Sequence, residues 1–406
     1  MDRRTALRLL VATSACAMMP GAFGKTKPKI VVIGAGIVGA ATAYFLSKAG
    51  AAVTVIDKQS PASHASRGTF AWLNATWAKQ PKSYHHFNQV GLSVWREVQR
   101  DLGIPVRWNG SLEWFAKPER NLKLMAQIDE QRQWGEPAEI ISADRIRKIE
   151  PGITVDDTVR AAYSPNDGAV DPVLATHTFL NAAKSLGAQL IFPCQAIAAR
   201  YAGGRIIGVS SSQGDINADY IVVATGADPD IPEALSGLSI PQRTTPGVIT
   251  LTHPFSPVVN TIVAAPGVHL HQRPDGRIVL GEQAGPPDGE AHEVRLRGRP
   301  NDFPAEYLGK EHGNRILSVA QQFFPALRGA EIDTSYIGWR PLPLDGHPVM
   351  GTNPATPGVY LAIMHSGVTL APLVGKLITR ELLTGDSLPE LAAYRPTRQF
   401  EQVVRY

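Results

Sequence analysis

Two unlike periodicities organise the chain. Residues 30–33 are uninterruptedly apolar, as in a strand buried on both faces, and Val38, Ala41, Thr42, Phe45, Leu46 and Ala49 then recur at helical spacing. A second apolar stretch ends at Asp57. Residues 58–76, rich in Ser, Gly and small side chains, predict a loop followed by a helix start. Phe87, Val90, Leu92, Val94, Trp95 and Val98 predict a helix over 84–102, stopped by Gly103, with Trp95 in the core. Further helices are expected over 122–134, after Ser142 and over 172–186, the last followed by a strand over 189–192. Residues 195–226 alternate as strands do, with turns at Gly203-Gly204 and Gln213-Gly214, and finish in a buried run over 221–224. The following hundred residues predict antiparallel strands and long loops, with a hairpin turn at Pro274-Asp275-Gly276. A buried strand over 359–364, a glycine turn at Gly367 and a helix to about 383 close the pattern.

The first strand, turn and helix carry the clearest chemistry. Gly34, Gly36 and Gly39 form G-x-G-x-x-G, and Asp57 lies 21 residues beyond Gly36. Gly34 lets the turn close, Gly36 lets backbone approach a pyrophosphate, and Gly39 brings helix against strand. Ile37 and Val38 then open the helix whose N-terminus holds the phosphates, and Asp57 accepts hydrogen bonds from ribose hydroxyls. These residues predict a dinucleotide site without deciding between FAD and NAD. Thr225 and Gly226 allow a second close approach.

Composition narrows the class. A chain of 406 residues, 44% hydrophobic and 19% charged, predicts a globular protein of two domains. Its net charge is +4, of which Arg3, Arg4, Arg8 and Asp2 contribute +2, and no Lys/Arg-rich run marks a nucleic-acid partner. Eleven dispersed histidines offer no metal-ligand set. Residues 1–24 resemble a twin-arginine export signal: Arg3, Arg4, Leu7 and Arg8 stand at the pattern's positions, and Ala6 replaces its usual aromatic. The apolar run over 9–19 is too short for the roughly 30 Å hydrocarbon core, so no membrane span is expected in the mature chain. The expected location is periplasmic or exported, by way of the twin-arginine machinery; the alternative is a basic N-terminus on a cytoplasmic enzyme.

Taken in order, the glycine turn, VVATGA over 222–227, and GWRPLPLDGHPVMG through MHSGVTLAP over 338–372 resemble the FAD-dependent D-amino-acid oxidase and glycine oxidase family. The resemblance covers nearly everything from residue 29 to 385. It implies an α/β fold: a Rossmann-like FAD-binding domain assembled from three chain segments (29–100, 160–232 and 338–390), and an α+β substrate domain with a mostly antiparallel sheet (101–159 and 233–337). It also implies FAD, expected to be held without a covalent bond because the mature chain's single cysteine, Cys194, falls in the adenine half; the alternative is attachment through His365 or His64. Lys58, Ala65, Ser66, Gly226, Gly367, Val368 and Thr369 join the glycine turn and Asp57 as cofactor-binding candidates. Ser63 and Ser66 serve equally well as simple caps.

In such enzymes the arginine of G-x-R-P holds the substrate carboxylate, and that position here is Arg340. A planar guanidinium suits the task, since two parallel hydrogen bonds fix the α carbon as well as attracting charge. His365 stands where the family has a histidine beside the ring, but the run His365-Ser366-Gly367 is two residues shorter than the family's H-x-x-x-G. A helix beginning near Leu370 would aim its positive end at the flavin N1 and C2 carbonyl. The implied activity is oxidation of an amino acid or related amine to an imine by hydride transfer to flavin N5, with oxygen or a quinone as acceptor. Its alternatives are a quinone- or carrier-linked dehydrogenase of the same fold and a non-catalytic flavin-binding scaffold.

Overall fold

The computed structural model describes residues 27–77, 79–283 and 300–402. The leader over 1–24 and most of the Pro/Gly-rich segment after 284 therefore lie outside the described residues. No described helix is long and apolar enough to cross a membrane.

Continuous apolar runs become the first sheet. Its six strands stand in the order Val349–Thr352, Val359–Ile363, Tyr220–Val223, Lys29–Ile33, Ala52–Ile56 and Gln189–Ile191. All neighbours pair parallel except the first two, which run antiparallel. Alternate residues of the central strand serve different cores, Ile30 and Val32 facing one and Val31 and Ile33 the other. Burial on both faces is why the strand reads as unbroken hydrophobicity rather than alternation. Helices Ile37–Lys48, Pro172–Ser185, Lys82–Leu102 and Gly367–Thr384 cover one face. The other face meets a three-stranded antiparallel sheet over 196–217 and helix Asp230–Ser236.

The second sheet has eight strands in the order Ile332–Pro343, Gln242–Thr252, Ile278–Gly281, Val268–Gln272, Ile262–Ala265, Ser111–Glu113, Arg160–Ser164 and Glu139–Ser142. Pairing is antiparallel except between Ile262–Ala265 and Ser111–Glu113. It takes in strand Arg160–Ser164 and all of Ile332–Pro343, so second-sheet residues extend beyond 159 and past 337. Val268, Leu270, Ile278 and Leu280 face its buried core, leaving His269, His271, Val279 and Gly281 on the opposite face.

Three expectations need correction. Residues 61–68 form successive turns and then the short strand Trp72–Leu73, with no helix start, because Ser, Gly and Ala there lack an apolar face to bury. Helix Glu306–Phe323 occupies part of a region expected to hold only strands and loops. Gly309 and Gly313 weaken its local signal, yet Gly313 is needed where the helix crosses the sheet: a Cβ there would lie 2.9 Å from side-chain carbons of Ile332 and Thr250. The last helix begins at Gly367, not near Leu370.

That helix contains Pro372, which has no N–H for the carbonyl of Val368. The indole of the fully buried Trp95 donates to this carbonyl instead, at 2.8 Å. Trp95 is thus a core residue that also completes the turn.

Candidate active site

The first strand ends where backbone must pass very close to backbone. Gly34 has φ +108°, and a Cβ on it would stand 2.4 Å from the carbonyl oxygen of Ala224 at the end of the neighbouring strand. A Cβ on Gly39 would stand 1.9 Å from the carbonyl of Gly34, so the helix can lie against the turn only without a side chain there. The crevice opens between the carboxyl ends of two adjacent parallel strands, where open α/β sheets bind ligands.

Asp57 closes one end of this crevice. Its carboxylate accepts from the backbone N–H of Ala35 at 2.7 Å and of Gln59 at 2.9 Å, which orients it toward the glycine turn. The backbone N–H of Cys194 donates to the carbonyl of Asp57 at 2.6 Å, placing that cysteine at the same end. Lys58 forms an ion pair with Asp228 at 2.9 Å, tying the second strand to the loop after Gly226. Ser66 accepts the backbone N–H of Ile37 at 3.0 Å, so its hydroxyl caps the first helix from a distant loop.

These groups surround a cavity of about 1090 Å³ that continues to the second sheet. Ligand pockets for drug-sized molecules run to roughly 300–1,000 Å³, so a dinucleotide and a small substrate can share this space. Gly34, Gly36, Ile37, Val38, Asp57, Lys58, Ala65, Ser66, Gly226, Arg340, His365, Gly367, Val368 and Thr369 all line it. Gly39 lies behind the wall as a packing glycine. The buried hydroxyls of Ser63 and Thr225 and Nε2 of His64 have no hydrogen-bond partner among the described residues, and all three residues line the cavity. Orphaned polar atoms of this kind around a glycine turn fit a bound FAD.

The helix Gly367–Thr384 brings its N-terminus to the cavity beside that of Ile37–Lys48, with Gly367 close to Val38. Ser366 ahead of it accepts from the buried Lys79 Nζ at 2.6 Å and from the Tyr84 hydroxyl at 2.9 Å. Thr369 Oγ1 accepts the backbone N–H of Asn74 at 3.2 Å.

Arg340 projects from strand Ile332–Pro343, opposite Thr245. A Cβ on Gly247, two residues along that neighbouring strand, would lie 2.8 Å from Nη2 of Arg340. The missing side chain is the slot that holds the guanidinium. His269 faces the same cavity, and burial first, then repulsion from Arg340 and Arg120, pushes its imidazole down to about 3. It is therefore neutral at any ordinary pH. Glu113 stands in register with Ala264, which stands in register with His269. Burial pushes the Glu113 carboxyl up to about 8; Asp167 adds to the shift and Arg120 opposes it. Asp167, also buried, is pushed up to about 7 although Ser111, Trp72 and Asn74 donate to it.

Sequence reasoning missed Gly247, His269, Glu113 and Arg120. The alternation in GVHLHQ carries a signal for His269, since it sets both histidines on the face opposite Val268 and Leu270. Nothing local marks the other three.

A family model described as DAO, FAD dependent oxidoreductase, matches residues 29–381. An opine oxidase subunit of Agrobacterium tumefaciens (strain Ach5) is 26% identical over 388 residues, covering 91% of this chain and 97% of the relative. Glycine oxidase of Bacillus licheniformis is 25% identical, covering 87% and 92%. Among solved structures, L-proline dehydrogenase from P. horikoshii aligns with a TM-score of 0.77 and 25% identity, covering 91% and 97%.

Proposed function

This chain belongs to the DAO family of FAD-dependent oxidoreductases, and from that premise we propose that it oxidises a carboxylated amine, an amino acid or N-substituted amino acid, to the imine. Water then hydrolyses the imine. The observation that carries the reading is Arg340, held by the Gly247 slot in the cavity that the glycine turn and the N-terminus of Gly367–Thr384 also enter. The names of the relatives, an opine oxidase subunit, a glycine oxidase and a proline dehydrogenase, support the same substrate class.

When bound, FAD supplies the hydride acceptor at its N5. The chain's part is to bind and orient. Arg340 fixes the carboxylate by paired hydrogen bonds, which orients the α carbon. Gly34, Gly36 and the first helix N-terminus would hold the pyrophosphate, and Asp57 the ribose. Phe70, Trp72 and Phe115 form apolar wall and exclude water. Neutral His269 offers a hydrogen bond without adding charge beside Arg340. No side chain is required as a strong base when the amine binds unprotonated.

Anaerobic addition of amino acids, N-methyl amino acids and plain amines tests this reading by bleaching of the flavin absorbance. Carboxylated amines should bleach it, and Arg340→Ala should raise their KM far more than it weakens flavin retention. Unchanged kinetics on every carboxylated substrate would sink the assignment. Reoxidation by air marks an oxidase, and reoxidation only by a quinone marks a dehydrogenase. FAD should leave the denatured protein, since Cys194 lies at the Asp57 end of the cavity.

The export reading rests on Arg3, Arg4, Leu7 and Arg8 alone. Residues 1–24 fused to a reporter should carry it to the periplasm by the twin-arginine route, and replacing both Arg3 and Arg4 by Lys should abolish transport. A reporter left in the cytoplasm would return the enzyme there, and transport unaffected by that change would mean a route other than the twin-arginine one.

A further inference from the structure

A second guanidinium enters the substrate end of the cavity. Arg120 sits in the first turn of helix Pro118–Gln133, which follows strand Ser111–Glu113 after a short connection. Its guanidinium carbon lies 4.4 Å from the centroid of the Phe115 ring, so an aromatic wall holds it in place. Among the described residues it forms no ion pair, and with Glu113 and Phe115 it lines the same cavity as Arg340. Strand register sets the spacing. Glu113, Ala264 and His269 stand side by side on three adjacent strands, and neighbouring strands lie about 4.8 Å apart. Arg340 and Arg120 both repel a proton from the His269 imidazole. At neutral pH His269 is uncharged and Glu113 keeps its proton, so neither cancels the two positive charges and Glu113 has an O–H to donate. Arg243 also lines the cavity, but it is two residues beyond the Arg340 row, away from His269.

We infer that the substrate carries two carboxylates, one held by Arg340 and the second, at the far end of the molecule, held by Arg120 beside Glu113. The inference rests on the carboxylated-amine reading above and specifies the substrate within it. A monocarboxylate would leave the Arg120 guanidinium without a counter-charge among the described residues, whereas an extended diacid fills both positions.

The test compares two glycine derivatives that differ at one end, N-(2-carboxyethyl)glycine and N-propylglycine, by steady-state oxidation and by anaerobic flavin bleaching. The wild-type enzyme should favour the diacid by at least tenfold in kcat/KM, the scale of one charge-assisted hydrogen bond. In Arg120→Gln that ratio should fall at least tenfold, Arg120→Lys should recover part of it, and Arg243→Gln should leave it in place. The inference is overturned by a wild-type enzyme indifferent to the second carboxylate, by equal losses on both substrates in Arg120→Gln, or by a preference that depends on Arg243. If neither compound bleaches the flavin while non-carboxylated amines do, the carboxylated-amine reading falls, and this one with it.

Discussion

The backbones of Gly68 and Gly338 touch: a Cβ built on Gly338 would lie 2.1 Å from the carbonyl oxygen of Gly68, and one on Gly68 would lie 2.6 Å from Cα of Gly338. The turn-rich loop after Asp57 is thereby pressed against the strand that carries Arg340. This contact joins the cofactor end of the cavity to the substrate end through main chain alone.

Gly338→Ala should pry the loop from the strand. Overpacking costs about 1–3 kcal/mol, and two opposed backbones cannot relax as side chains do, so the upper end is expected. The purified variant should keep less than about half the wild-type flavin and melt several degrees lower. Full flavin content at an unchanged melting temperature would show that the loop yields freely.

Gly247→Ala tests the arginine slot with little strain on the fold. The added methyl meets the end of the Arg340 side chain, not backbone, and Gly247 has no positive φ to lose. The guanidinium should swing aside, lowering kcat/KM for carboxylated substrates by about 10- to 100-fold. The melting temperature and flavin content should stay near wild type. Equal catalytic losses on amines without a carboxylate would mean that the slot shapes the whole cavity.

Glu113 links stability to pH. Its carboxyl titrates near 4.5 when unperturbed and about 8 in the folded protein. Between those values the native state keeps a proton that the unfolded chain has released. The contribution of this group is therefore full below pH 4.5 and is lost as pH rises through 8. Glu113→Gln is neutral at every pH, so its melting temperature should fall less than that of the wild type between about pH 5 and 8. Parallel curves for the two proteins would rule the group out as the source.

Trp95 and Pro372 should be energetically coupled. Trp95→Phe removes the donor to the Val368 carbonyl and leaves a buried acceptor unpaired, costing about 1–3 kcal/mol. Pro372→Ala restores a helical N–H to that carbonyl, so Trp95→Phe should cost less in the Pro372→Ala background. Additive effects in denaturant titrations would falsify the shared role.

The parts legible in the sequence are those whose physics is local. Gly34, Gly36 and Gly39 sit within six residues because strand, turn and helix must follow one another without a break, and the same contiguity makes the Tyr220–Val223 and Val359–Ile363 strands readable as apolar runs. Arg340 and His365 come from resemblance, since no periodicity singles out an arginine or a histidine. Helix Glu306–Phe323 escapes the sequence because Gly309 and Gly313 serve the sheet they pack against at the expense of helix propensity. Ser66, which its local sequence leaves open between cap and cofactor contact, caps a helix 29 residues earlier in the chain.

What only tertiary structure decided was which residues share the substrate end. Glu113, His269 and Arg340 come from three strands far apart in the chain, and strand order in the second sheet puts them on one face. The Gly247 slot exists because that strand pairs in register with the one carrying Arg340. Sheet pairing between distant segments depends on how all the strands pack together, so no local window of the sequence encodes it.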